Sequence, residues 1–303
     1  MAPRISSAAA WPPIARFITI EAEIGEAAVR RGPAAVALYE FVRFGLKQGW
    51  ACLFGGAMLA LLVATRYAYP AHAPLARYDV LFLAAIALQI GMLVTRLETL
   101  EEAKVICAFH VIGTLMEIEK THVGSWIYPE ASLFHIGGVP LFTGFMYASV
   151  GSYLARVWRL FDFRFARHPS LPALLVLSAA IYANFLADHF GVDMRLGLIA
   201  VIIALFARTT VYFKVWRTHR FMPLLLGFLL VALFIWFAEN IGTFTGTWLY
   251  PRQMGHWTFV SPSKLTSWFL LMIISYAMVA WIQGVRALDA AAVPRDEAVA
   301  LAR

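Results

Sequence analysis

The sequence predicts an all-α, polytopic membrane helical bundle with about eight transmembrane helices in two parallel four-helix repeats. Three observations carry that expectation. Of 303 residues, 61% are hydrophobic and only 14% charged, and the mean hydropathy is +0.71, a balance rare in soluble domains. The apolar residues fall in runs near the roughly 20 needed to cross a bilayer. One phrase, Glu followed by Gly-x-Trp-x-Tyr-Pro, is written twice, as EIEKTHVGSWIYP over 117–129 and ENIGTFTGTWLYP over 239–251.

The elements follow in order. Residues 1–45 hold no apolar stretch of the kind a cleavable signal peptide needs. Segments 14–30 and 36–46 read as amphipathic helices on the inner membrane surface, with a disordered tail through 35 as the alternative. Eight spans are expected at 48–65, 79–95, 103–118, 138–155, 172–188, 194–213, 222–240 and 264–283. In lipid each must be helical, because only a helix satisfies its own backbone polar groups. The first repeat fills 46–156 and the second 168–284, followed by a short tail over 285–303. Four helices per repeat is an even number, so both repeats run the same way, related by a pseudo-two-fold axis along the membrane normal.

The net charge of +7 does not require a nucleic-acid partner. With the N-terminus inside, only Arg66, Arg77, Lys120, Arg195, Arg252 and Lys264 of the 25 Lys and Arg fall outside. That bias, alternating loop by loop, is the positive-inside pattern. It predicts a multi-pass protein of a bacterial inner membrane with both termini cytoplasmic, reinforced by anionic inner-leaflet lipid. Cys52 and Cys107 read as buried small hydrophobes rather than a disulfide.

Within the repeated phrase, Gly ends a helix, Pro stops it resuming, and Trp and Tyr anchor at the interface. The glutamates ask for more. Glu117 and Glu239 each follow an apolar helix, where a carboxylate costs a few kcal/mol unless it is paired, hydrated or protonated. Two at equivalent positions point to a shared polar cavity, with Trp126, Tyr128, Trp248 and Tyr250 as its walls. Glu119, beside Lys120, reads as a solvated ion pair. His110, seven residues before Glu117, shares its helix face. Asn184 and Asp188, four apart, add a second polar face on the fifth span.

Of the eight histidines, His122, His135, His189 and His256 fall on the outer side with the carboxylates and are the metal candidates. No HExxH or HxxxH pattern supports them, and no metal or other cofactor is expected. Phosphate-binding loops and nucleophile elbows are absent from the sequence.

The segments HVGSWIYPEASLFHIGGVPLFTGFMYASVGSY and FAENIGTFTGTWLYPRQMGHWTFVSPSKLTSW resemble a bacterial family of polytopic membrane proteins of unknown function (domain of unknown function 817, the YoaT-like proteins), over roughly 35–285. The resemblance implies a membrane location and no particular activity. The helix-end Glu, Gly and interfacial aromatics are also similar to integral-membrane carotenoid enzymes, the lycopene cyclases and bisanhydrobacterioruberin hydratases. That similarity touches Glu117, Gly124, Trp126 and Tyr128, and Glu239, Gly246, Trp248 and Tyr250. The Pro-x-Glu-Glu signature of the cyclases does not occur here.

The favoured reading is an intramembrane acid–base enzyme acting on a lipid or isoprenoid. Glu117 would donate the proton with His110 beneath it, Glu239 would support it, and aromatic faces would stabilise the cation formed. Two carboxyls in one poorly hydrated pocket cannot both ionise easily, so one is expected to keep its proton. A proton-coupled small-molecule transporter or a non-catalytic subunit of a membrane complex are the alternatives. Membrane lipid is the expected partner, and no oligomeric state is assigned.

Overall fold

A computed structural model describes residues 12–70, 72–187, 191 and 193–288. The chain is predominantly helical. The helices are α1 (Pro12–Arg31), α2 (Pro33–Ala51), α3 (Leu53–Ala68), α4 (Arg77–Val94), α5 (Leu100–His122), α6 (Phe142–Leu160), α7 (Leu171–Ala187), α8 (Arg195–Phe206), α9 (Leu224–Phe244) and α10 (Lys264–Gln283). By length and composition, α4, α9 and α10 can cross a membrane, and α2 with α3 makes a fourth if the pair is one span bent by 66°.

Eight such spans are therefore not found among the described residues. The first turns of α5 carry Glu101, Glu102 and Lys104. Over the described residues helices α7 and α8 have 17 and 12 residues, fewer than the about 20 of an ordinary crossing. The span expected at 48–65 is two helices meeting at Cys52. The end of α2 there is satisfied partly by a side chain, because Arg156 donates to the Trp50 carbonyl at 3.2 Å.

The chain is also not all-α. The run expected as helix over 194–213 leaves the helix after Phe206. Its β-branched and aromatic residues then form a strand. Strands β3 (Arg164–Ala166), β4 (Thr210–Lys214) and β5 (His219–Pro223) make an antiparallel sheet in the order β3-β4-β5. Residues 135–140 form a small hairpin, β1 (His135–Ile136) with β2 (Val139–Pro140). Gly137 and Gly138 turn it with φ of +59° and +79°, a region that glycine enters without steric cost.

From Pro12 the N-terminal segment is helical instead of a tail through 35. Arg217 pairs with Glu26, and Arg220 with Glu40, so α1 and α2 are tied to the tip and outer strand of the β4–β5 hairpin. Lys47 bonds the carbonyls of Leu160 and Lys214 at 2.8 and 2.9 Å. The sheet end thus gathers Arg164, Arg208, Lys214, Arg217 and Arg220 along its strands and connections. Cys52 and Cys107 are free and lie on the surface of the bundle rather than inside it.

The most intimate helix pair is α5 with α6. Small residues let the two backbones approach: a Cβ on Gly144 would fall 2.4 Å from Thr114 Oγ1. At the sheet end this pair is locked by two ion pairs. Arg156 meets Glu98 at 3.1 Å with both side chains fully buried, and Arg159 meets Glu102 at 2.7 Å. The opposite end of α5 carries the first copy of the repeated phrase.

A cavity between two carboxyl clamps

Helices α5 and α9 end in the same way. At α5, Gly124 N donates to Thr121 O at 3.1 Å and Ser125 N to Lys120 O at 2.9 Å. At α9, Gly246 N donates to Thr243 O at 3.0 Å and Thr247 N to Gly242 O at 3.1 Å. Both are Schellman endings, with glycine in the left-handed region at φ of +74° and +65°. The reversal sends the next residues back along the helix in an extended path. Alternate side chains of an extended segment share a face, so Trp126 and Tyr128 turn toward α5, and Trp248 and Tyr250 toward α9.

Each pair closes on the glutamate of its own helix. Trp126 Nε1 donates to Glu117 Oε2 at 2.8 Å, and the Tyr128 hydroxyl donates to the same oxygen. Trp248 Nε1 and the Tyr250 hydroxyl both donate to Glu239 Oε1, each at 2.8 Å. Glu117 and Glu239 are buried, 4% and 7% exposed. Each carboxyl is thus pinned through one oxygen, and the second oxygen is not used by these donors.

The two phrases also pair with each other. Ile127 N donates to Leu249 O at 2.9 Å, and Leu249 N to Ile127 O at 3.0 Å. That is the mutual hydrogen-bonded pair of an antiparallel ladder. It sets Trp126 against Tyr250, whose ring centroids are 6.1 Å apart, edge to face. A cavity of about 40 Å³ lies between the clamps, lined by Glu117, Trp126, Tyr128, Thr143, Met146, Tyr147, Glu239, Trp248, Tyr250 and Trp268.

Glu117, Glu239, Trp126, Tyr128, Trp248 and Tyr250 therefore come together in one place. His110 does not join them. Its ring lies 4.3 Å from that of Phe145, and its Nδ1 is buried without a partner; sharing a face with Glu117 still leaves it two turns away. Asn184 is spent elsewhere, accepting from Met194 N at 2.7 Å at the start of α8. Asp188 and His189 lie outside the described residues. His122, His135 and His256 are exposed. Among the described residues no group of three or more His, Cys, Asp or Glu side chains could hold a metal ion.

Sequence reasoning missed four lining residues, Thr143, Met146 and Tyr147 from α6 and Trp268 from α10. Tyr147 adds a third donor to Glu117, from its hydroxyl. The offset of 122 would have found part of this set, because Met146 corresponds to Trp268 and Tyr147 to Phe269. The same offset carries His122 to Phe244 and Phe142 to Lys264, which are the last residues of α5 and α9 and the first of α6 and α10.

Comparison with known proteins agrees with the sequence resemblance. A family described as "Protein of unknown function (DUF817)" matches residues 40–276. "Uncharacterized protein YoaT" of Bacillus subtilis (strain 168) is 43% identical over 250 residues, covering 82% of this chain and 94% of that protein. No solved structure matches. Neither match shows the similarity to membrane carotenoid enzymes. By extent and identity, the chain belongs to the DUF817 family.

Proposed function

We propose that the protein is a multi-pass membrane protein built from two parallel four-helix halves, and that Glu117 and Glu239 form its proton-exchanging centre in a proton-coupled carrier for a small solute. The observation that carries this reading is the single cavity shared by two buried carboxyls, each pinned by a Trp and a Tyr. Two like charges in a poorly hydrated space repel, so the pair holds one proton between the two carboxyls. The cavity admits about three or four waters at about 10–15 Å³ each. Trp268 Nε1, buried and without a protein partner, offers such a water a donor.

Cavity size separates the chemistries that the sequence left open. An acid acting on a lipid or isoprenoid chain needs a groove that admits the chain, and about 40 Å³ does not. The aromatic walls that favoured a carbocation remain, but every Tyr and Trp donor of the repeated phrase is turned onto a carboxyl. The break between α2 and α3 is the kind of discontinuous helix that carriers use.

The proposed topology puts the sheet end and both termini in the cytoplasm and the repeated phrases outside. Its support is the clustering of basic side chains at the sheet end and the pairing of equivalent residues Ile127 and Leu249 across a local two-fold. Ser132→Cys and Ser263→Cys variants should both react with an impermeant thiol reagent added outside; protection of both reverses the orientation. For function, protein in liposomes loaded with a pH-sensitive dye should dissipate an imposed proton gradient. The Glu117→Gln, Glu239→Gln double variant should not. Equal flux from the double variant would reduce the clamps to interfacial anchors.

A further inference from the structure

The cavity's walls point to the chemistry of the solute. Six of its ten lining residues are Trp or Tyr and two are glutamates. Aromatic rings around a buried carboxylate form the usual receptor for an organic cation, which gains from the ring faces and from the charge together. A neutral solute gains nothing from the carboxyls, and an anion is repelled by them.

One ammonium of the chain lies against a ring of this cage without itself lining the cavity. Lys264 Nζ lies 4.9 Å from the Tyr250 ring centroid, and Lys264 and Glu117 are the charged groups acting on Glu239. At the equivalent place in the first half stands Phe142, 6.4 Å from the Tyr128 ring and edge to face with it. The second clamp therefore has a cation supplied by the chain. The first clamp has the same Glu, Trp and Tyr, and among the described residues no cation lies over the Trp126 or Tyr128 ring. Around Glu117 stand Tyr128 from its own loop, Tyr147 from α6 and Glu239 from α9, none of them basic.

We infer that the site takes a small primary ammonium ion in the cavity beside Glu117, and releases a proton as it does so. This deepens the carrier reading and rests on it. The exchange is balanced. The protonated pair and the entering ammonium give a carboxylate–ammonium pair and one proton, which leaves to water, so the charge of the site is unchanged. The ammonium N–H groups donate to the Glu117 and Glu239 carboxyls. The small cavity selects against bulky cations, and a water retained beside the ion accepts from Trp268.

The test is calorimetric titration of the detergent-solubilised full chain with methylammonium, run at one pH in two buffers of different ionisation enthalpy. Saturable binding should release about one proton per ion, as carboxyl-for-ammonium exchange requires. Methanol and sodium should give no saturable heat. Glu117→Gln should weaken methylammonium by more than about thirtyfold, the low end for removing one partner of a buried charge pair. Lys264→Gln, which removes the competing ammonium, should tighten it severalfold. No methylammonium binding by a protein that still dissipates a proton gradient in liposomes would overturn the ammonium assignment and leave the proton-exchange reading standing. Binding without proton release, or binding unchanged in Glu117→Gln, would also overturn it. Loss of both binding and gradient dissipation in the wild type would overturn both readings.

Discussion

The clamp geometry makes Glu117 a residue whose amide and alanine variants should behave very differently. In Glu117→Gln the amide carbonyl takes the place of Oε2 and still accepts from Trp126 Nε1 and Tyr128. Each bond loses its charge assistance, about 1 kcal/mol apiece, while the cost of a buried charge disappears. The variant should lie within about 2 kcal/mol of wild type. In Glu117→Ala at least the Trp126 and Tyr128 donors, with Tyr147 as a third, lose their acceptor in a site only 4% exposed. At about 1–3 kcal/mol for each buried unsatisfied group, the cost is about 2–6 kcal/mol. Glu239→Ala should fall at the lower part of that range, since Trp248 and Tyr250 are its two donors. The assay is unfolding in mixed micelles of rising denaturing-detergent fraction, followed by tryptophan fluorescence. Gln and Ala variants of equal stability, or an Ala variant within about 0.5 kcal/mol of wild type, would refute the clamp as the element that holds the loop.

Four further outcomes follow from particular contacts. Gly124→Ala and Gly246→Ala should each cost about 1 kcal/mol, the strain of a left-handed residue. Gly242→Ala should cost more and abolish proton flux, because its Cβ would sit 2.1 Å from the Trp248 ring and push Trp248 off Glu239; thermal unfolding and the liposome assay read both. Arg156→Met leaves the fully buried Glu98 carboxylate uncompensated and should cost about 3–5 kcal/mol, whereas adding Glu98→Leu should recover most of it, as the same unfolding assay would show. His168, between β3 and α7, donates from Nδ1 to Pro169 O at 2.6 Å and accepts at Nε2 from the Tyr276 hydroxyl at 2.7 Å. Burial holds its imidazole below the usual histidine range, against the smaller effect of the Pro169 carbonyl. The unfolded chain therefore binds more protons between the folded value and about 6.5. Stability should be full above that pH and fall through the window on acidification, and His168→Asn should flatten the dependence.

How much of this the sequence showed depends on how each residue is placed. The helix-end glutamates and their aromatic partners were legible because the phrase recurs in one gapless register, and the hydrogen bonds follow that register residue for residue. Tyr147 and Trp268 were not, because an aromatic one turn into an apolar helix reads as ordinary packing until its neighbours in space are known. His110 was over-read: spacing of seven fixes a common face but not a common depth, and the Phe145 ring stands against it. The sheet hid inside one hydrophobic run, where TVYFK continues the apolar character of α8 while changing the backbone. The break at Cys52 carries no proline and no glycine at the joint, so only the Arg156 donor on Trp50 O marks it. Chemistry beyond proton exchange was legible only as a balance between rings and carboxyls, and the cavity's size decided which solutes that balance admits.

The most direct test of the central claim is infrared difference spectroscopy of the protein near neutral pH. The account predicts one protonated-carboxyl stretching band that shifts on deuteration. It should be absent from the Glu117→Gln, Glu239→Gln double variant and should disappear from wild type when methylammonium is added. A wild-type spectrum identical in that region to the double variant's would contradict a shared proton at Glu117 and Glu239.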